Sequence, residues 1–438
     1  MAPPYQVLRS LEDWRARDSA DDEPPSDASD RLKGVSVGRG GTVRVDAGGQ
    51  VRARVESWAD ASYGAVDGRD RWGLLRARLH ANVRVGGSLR LFAEGLFADE
   101  DGRDGGPRPS DVNQGEVQSL FVEGWLAIGS GLAGAWAGRR ELLFGKQRLI
   151  SPADWTNVRR PLQGAGAFAT GRSWRVDVFA VRPLKIDPDR LDRWDRATSF
   201  VGAVAHFDAA PGRVVEAYVL HVDREHSVWQ DVEDRERRWS LGAGSWGRLG
   251  SSPFDYDIEG VWQFGRYAGS GIAAGMATLE LGWRPSARSA EPRIALGGDF
   301  ASGDRAGDGL GTYSQLFPTG HSWFGWADLQ ARQNVVAARL TASAKPTQRI
   351  TVRVDVHRFW RADADDGVYA ATGAPLRGPT TSRSRSVATE LDLQVKYAID
   401  RHWDFELGWA HVWAGEFVME SDPAGDTDFG YVQLTFTF

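Results

Sequence analysis

Arginine recurs at alternate positions through the first quarter of the chain: Arg52 and Arg54, then Arg76 and Arg78 in phase with His80 and Arg84, then Arg90. A guanidinium stays charged and offers a planar fork of donors that matches a carboxylate. Alternate residues of a strand share one face, so this spacing lines one surface with cations able to attract anions. The same phase carries Glu56 and Glu94, and later Arg139, Glu141, Arg339, Arg353, Asp355 and His357. Carboxylates answer them at Asp255, Asp257 and Glu259, then at Glu390, Asp392, Asp404 and Glu406, with Lys396 the exception. Two accounts stay open: a basic ladder that guides anions, and internal ion pairs that brace a wall. Both can hold at different heights.

Covalent chemistry finds little support. A nucleophile needs a base beside it and a third group to orient the base. His80, His206, His221, His226, His321, His357, His402 and His411 are scattered, and His321-Ser322 is the single close pair. No enzyme activity is expected. No His/Asp cluster has metal-ligand spacing, and the acidic runs Asp304 to Asp308 and Asp363 to Asp366 lack the 12-residue calcium-hand pattern. Gly38-Arg-Gly-Gly41 has no helix after it, so it is no phosphate cradle. Neither a cofactor nor a metal is expected. With Cys 0 there are no disulfides or thiolate sites, and a net charge of −6 argues against a general nucleic-acid binder.

The elements that must carry the ladder are strands. At the carboxy terminus Val432, Leu434, Phe436 and Phe438 alternate with Tyr431, Gln433, Thr435 and Thr437. In 73–85 Leu75, Ala77, Leu79, Ala81, Val83 and Val85 oppose Arg76, Arg78, His80, Asn82 and Arg84. Eighteen such segments can be laid out, from 49–58 and 73–85, through 133–145 as the fifth, to 402–415 and 428–438. No helical pattern is available to cover their apolar faces. Mean hydropathy is −0.40, and no apolar run reaches the roughly 18 residues of a membrane helix. Alternation hides a barrel from such averages, and Trp 19 with Gly 52 suits aromatic girdles and tight turns.

Connections after even-numbered segments are short, as at Gly86-Gly-Ser88 and Gly129-Ser-Gly131. Most after odd-numbered ones are long and polar: 59–72, 100–115, 146–163, 183–198, 224–237, 303–332 and 361–385. One odd-numbered connection, around Ala268 to Gly271, is short. The fold class expected is therefore all-β: a transmembrane antiparallel β-barrel of 18 strands, with short periplasmic turns and long extracellular loops. A terminal aromatic strand, sticky if left as an edge, then closes against the first strand. The organisation expected is a partly mobile periplasmic lead over 1–40 and a barrel over 41–438. Met1-Ala-Pro-Pro-Tyr lacks the apolar stretch of a secretory signal, which suggests a mature region headed by an added Met. The lead is too short for the plug of an energy-coupled transporter.

Residues 138–160 contain Gly-Arg-Arg-Glu-Leu, then Gly-Lys-Gln-Arg-Leu, then Asp154-Trp-Thr-Asn-Val-Arg-Arg160. This resembles the signature of the alginate-export family of outer-membrane barrels. Leu8-Arg9, Glu12-Asp13-Trp14, Leu32-Lys33 and Gly48-Gly-Gln-Val-Arg-Ala-Arg54 are similar to that family's amino terminus, and Leu79-His-Ala81 with Leu89-Arg-Leu-Phe92 continue the likeness. The resemblance is strong over about 5–165 and architectural beyond. It implies a monomeric 18-stranded barrel with a basic pore, and the best-known member exports an anionic uronate polymer.

The expectation is a passive outer-membrane channel for an anionic saccharide or another anionic solute, embedded in outer-membrane lipid, with a possible periplasmic export partner. A nutrient-uptake porin is the alternative, and a surface-binding barrel with an occluded pore is the alternative of another class. The 146–163 loop, with Asp154, Asn157, Arg159 and Arg160 between Pro152 and Pro161, is expected to fold inward as a constriction. Trp323, Phe324 and Trp326 of 303–332 are expected in an outer aromatic girdle or lid. The residues expected to line the pore are Arg52, Arg54, Arg76, Arg78, His80, Arg84, Arg90, Arg139, Glu141, Asp154, Asn157, Arg159, Arg160, Arg353, Asp355 and His357.

Overall fold

The structure is a computed structural model that describes residues 5–14, 27–38, 42–229, 231–285, 290–305, 309–379 and 382–438. Its wall consists of β1 (Val43–Asp60), β2 (Val66–Val85), β3 (Leu89–Asp101), β4 (Asn113–Ile128), β5 (Gly131–Arg140) and β6 (Leu162–Thr170). It continues with β7 (Trp174–Lys185), β8 (Thr198–Ala210), β9 (Arg213–Trp229), β10 (Val232–Arg248), β11 (Phe254–Tyr267) and β12 (Ser270–Trp283). The remaining strands are β13 (Arg293–Ala301), β14 (Val335–Thr347), β15 (Ile350–Arg361), β16 (Ser386–Ala398), β17 (Trp403–Ala414) and β18 (Thr427–Thr437). Each pairs antiparallel with its neighbours, and β18 pairs with β1 from Gln50↔Thr437 to Ala59↔Asp428. Gly49 and Phe438 exchange both backbone hydrogen bonds, at 2.9 and 3.0 Å, so the last residue completes the seam. The 18-stranded barrel is closed, and no unpaired edge remains to template association.

The usual inside-out rule is inverted, as a membrane barrel requires. Leu79, Leu126 and Leu296 point outward and are 64%, 61% and 65% exposed, while Arg76, Arg78 and Asp355 point inward and are almost wholly buried. The carboxy terminus and the first described residue, Tyr5, lie at the short-turn end, the periplasmic one.

Chain occupies much of the lumen. Segments 141–161 and 309–334 both turn inward, and together they build an apolar interior of Leu142, Leu149, Ile150, Phe317, Phe324 and Leu329 against Phe179, Phe200, Leu220 and Phe359 of the wall. The two segments are also stitched to each other: the Ser151 N–H donates to Phe317 O (2.9 Å), Phe317 N–H to Leu149 O (2.9 Å) and Thr319 N–H to Gln147 O (3.1 Å). At the periplasmic mouth, residues 5–14 dock on the inside of β1–β3. There Arg90 donates to Ser10 O (2.6 Å), Arg84 to Glu12 O (3.0 Å), and Arg9 to Phe438 O (2.8 Å). The short strand Val35–Val37 pairs with the start of β1. Most of the acidic Asp18–Asp30 stretch, with Arg39 to Gly41 and Asp308, lies outside the described residues.

Four expectations need correction. Segments 59–72 and 224–237 are not long loops: β1 and β2 are joined through Ala61–Gly64, and β9 ends at Trp229 where β10 begins at Val232. Their polar residues belong to strands that extend past the apolar band. The fifth strand stops at Arg140, so Glu141 begins the inward segment. Arg139 pairs in register with Leu120 and Gln163, and Leu120 is an outward residue. Arg139 thus has the register parity of an outward residue, yet its side chain is held among buried groups, by Glu116 and by Asp192 O (2.9 Å), while Arg140 and Trp136 face the lumen. Finally, Phe324 and Trp326 are buried within the barrel and Trp323 packs beside them, so they form no outer girdle.

Candidate functional site

Two arcs of the wall hold the two inward segments, each by the backbone polarity it can satisfy. On the basic arc, Arg52 donates to Asp154 O (2.9 Å) and Thr156 O (3.0 Å), and Arg54 to Trp155 O (2.9 Å). Arg76 reaches Asp154 O (2.9 Å), Thr156 O (3.1 Å) and the Asp154 carboxylate (3.0 Å). Asn157 directs its amide nitrogen at the carbonyls of Leu75, Asp99 and Asp111, at 3.0, 3.0 and 2.9 Å. Irregular backbone inside a barrel needs such partners, because its carbonyls have no ladder of their own.

A carboxylate layer completes this arc. Arg159 forms a bidentate pair with Glu141 (2.6 Å to each oxygen), pairs with Asp154, and donates to Val7 O (3.2 Å). Arg78 pairs with Glu94 at 2.8 Å and approaches Glu141 at 3.6 Å. Burial opposes ionisation of Asp154, but Arg159, Arg76 and Arg52 outweigh it and hold the carboxyl well below the ordinary carboxylate range.

The acidic arc does the converse. Glu390 accepts the Ala327 N–H (2.9 Å), Asp392 accepts the Trp326 N–H (3.4 Å), and His357 pairs with Asp392 (3.2 Å). Gly325 makes the turn possible. Its φ is +86°, and a Cβ there would run into the Glu390 carboxylate. Arg148 locks the first segment to β11 through Asp257 (2.9 Å) and Glu259 (2.8 Å). The two segments meet where Trp155 stacks on His321, with ring centroids 3.6 Å apart and planes 9° apart. Arg54 covers the other face of Trp155 at 3.8 Å, and Trp326 meets His321 edge-on at 4.4 Å.

This septum separates two cavities. The outer one, about 420 Å³, is bounded by Arg54, Arg103, Arg108, Arg160, Trp155 and His321, and carries five carboxylates: Glu56, Asp70, Asp104, Asp111 and Asp328. The inner one, about 860 Å³, lies along β10–β15 and opens toward the periplasm. It has six cationic side chains, Lys146, Arg248, Arg284, Arg293, Arg339 and Arg353, against Asp255, Asp257, Glu280 and Glu291. Arg293 bridges Asp255 and Glu280 (2.6 Å each), and Arg339 also holds Glu280. Lys146 rests 5.2 Å from the Trp246 ring, and it and Arg248 have no carboxylate partner among the described residues. The inner cavity can therefore present free cationic donors to a carboxylate.

The residues singled out in the sequence thus divide. Arg52, Arg76, Arg78, Glu141, Asp154, Asn157 and Arg159 come together, but as the anchor of the inward segment. Arg54 serves that anchor and also lines the outer cavity, as does Arg160, which donates to Pro318 O (3.0 Å). His80 stacks on Phe92, Arg84 pairs with Asp46 (2.7 Å) and Arg90 with Glu123 (2.7 Å), all beneath the docked amino-terminal segment. Arg353 reaches the inner cavity while pairing with Asp355 (2.5 Å), and His357 stays with the acidic arc. The sequence reading missed Lys146, Arg248, Arg284 and Arg293. Lys146 stands inside the Gly-Lys-Gln-Arg-Leu run, and the others flank short periplasmic connections, where charge is ordinarily taken as solvated.

The family model for alginate export matches residues 43–432. Among solved structures, Pseudomonas aeruginosa OpdK with vanillate is 12% identical, with 90% of this chain and 98% of that chain covered at a TM-score of 0.59. OccK11 (OpdR) of the same organism is 13% identical, with 90% and 96% covered at 0.57, and OccD3 (OpdP) is 12% identical, with 90% and 91% covered at 0.58. At these identities the likeness establishes the fold. A search of curated proteins found no match.

Proposed function

The chain belongs to the alginate export family of bacterial outer-membrane β-barrel channels, and from that premise we propose that it conducts small carboxylated solutes passively. The observation that carries this reading is the inner cavity, where six cationic side chains face four carboxylates and Lys146 and Arg248 have no acidic partner among the described residues. Cations that are not neutralised by the wall raise the local anion concentration in a narrow passage. Cavities of about 420 and 860 Å³ fall in the range of roughly 300–1,000 Å³ typical of small-ligand sites. No bond is made or broken in this mechanism. A carboxylate exchanges part of its water for guanidinium and ammonium donors, crosses beside the septum, and leaves because each contact is single and weak.

A small solute is favoured over an extended polymer by the interlocked septum, since a uronate chain would require both inward segments to withdraw. Polymer export is the second reading, supported by the family itself. Current block distinguishes them. In a planar bilayer, glucuronate should reduce ionic current at concentrations where glucose does not. Equal block by the acid and the neutral sugar would overturn the carboxylate reading, and block by polyuronate alone would favour the polymer.

A further inference from the structure

The outer surface of β9–β11 carries a feature the channel reading does not use. In register across three strands, His221, Trp239 and Phe264 form one outward row, and Asp223, Arg237 and Arg266 form the next row toward the extracellular end. Trp239 and Phe264 are exposed on the lipid side, and His221 lies 4.4 Å from the Trp239 ring.

The height of the second row follows from β11. Its outward column runs from Phe254 through Ile258 and Trp262 to Phe264, then to Arg266. Ten residues separate the two phenylalanines, which at ~3.3 Å per residue and a tilt of ~40° is ~25 Å of height, the thickness of the apolar band of such barrels. Phe254 and Phe264 thus mark its two borders. Arg237 and Arg266 stand one step above the outer border, level with the headgroups of the external leaflet.

Neither arginine is neutralised there. Arg266 has no ion-pair partner among the described residues. Arg237, its side chain 59% exposed, reaches only Asp223 at 3.4 Å, and Asp223 is already taken by Arg235 in a bidentate pair at 2.8 and 2.7 Å. Two other outward arginines toward the same rim are consumed by their own chain. Arg182 donates to the carbonyls of Arg196 and Thr198, and Arg358 to the hydroxyls of Thr389 and Ser386.

We propose that Arg237 and Arg266, with Arg235 beside them, form a binding site for a phosphorylated glycolipid headgroup of the outer leaflet, whose acyl chains lie along Trp239, Trp262 and Phe264. Guanidiniums clamp phosphate oxygens bidentately, and a row directly above an aromatic band presents them at the depth where such phosphates sit.

The test uses the full chain in detergent micelles, with lipid A bearing two phosphates and its dephosphorylated counterpart as probes, read by native mass spectrometry. Bisphosphorylated lipid A should bind and the dephosphorylated lipid should bind far less. The double substitution Arg237→Gln/Arg266→Gln should weaken binding roughly tenfold or more while single-channel conductance stays unchanged. Asp223→Asn releases Arg235 and Arg237 and should tighten binding, an increase that loss of folding cannot mimic. Equal binding of both lipids would overturn the proposal, as would unaltered binding by both variants. Capture of inorganic phosphate as strongly as lipid A would overturn it too, since the acyl chains would then contribute nothing.

Discussion

Arg76→Met tests the claim that the basic arc is an anchor. Arg76 is 1% exposed and donates to Asp154 O, Thr156 O, the Asp154 carboxylate and Gln50 Oε1, all within 2.9–3.1 Å. Methionine retains an unbranched stem and supplies no donor. Removing one partner from a buried charged network costs about 3–5 kcal/mol. Part of that is recovered here, because Arg52 also donates to the Asp154 and Thr156 carbonyls and Arg159 keeps the Asp154 carboxylate paired. About 2 kcal/mol should remain, a shift of roughly 30-fold in the ratio of docked to released segment. Single-channel recording in planar bilayers reads this directly: openings of the variant should be more frequent or longer by that order, with ion preference preserved. An Arg76→Met channel that gates as the wild type does would refute the anchoring argument. So would altered ion preference with unaltered gating, because that is the signature of a residue on the permeation route.

Lys146→Glu removes an unpaired cation from the inner cavity and should lower anion preference in reversal-potential measurements without lowering the unfolding temperature. Gly325→Ala forces a Cβ against Glu390 at positive φ, so the turn that carries Trp326 should loosen by about 1–3 kcal/mol, seen as noisier current and faster proteolysis in 309–334. Lys33, docked with its ammonium on Ala47 O (2.7 Å), has its pKa pushed down by burial to about 8, with Arg9 adding to the effect. The docked state thus binds fewer protons between pH 8 and ~10.4, and docking should strengthen as pH rises through that window and stay level below it. Fluorescence of Trp14, which packs against Lys33, should report this, and docking that weakens from pH 8 to 10 would refute it.

Strand number, closure and inward phase of most of the ladder were legible because alternation is a local property of the chain. Phase failed at β5, where Ala133, Ala135 and Ala137 contrast weakly with Gly134 and Gly138, and where Trp136 packs inward against Arg140 although an aromatic residue there reads as lipid-facing. The role of the arginines was not legible, for a different reason. Their partners are mostly backbone carbonyls some 80–100 residues away, and every residue carries a carbonyl, so no sequence signal marks the acceptor. Ion pairing between the basic and acidic arcs was a reasonable expectation. Instead each arc grips its own inward segment, and the segments meet through Trp155 and His321. The burial of Phe324 and Trp326 was hidden for a related reason: an aromatic run in a loop reads equally as girdle or filling until chain is known to run through the lumen.

The zero-current potential across a bilayer holding this protein in a potassium chloride gradient tests the central claim most directly. An inner cavity with unneutralised Lys146 and Arg248 predicts chloride preference that falls when Lys146 is replaced by Glu. A potassium-preferring potential in the wild-type channel, or an anion preference that ignores Lys146, would contradict it.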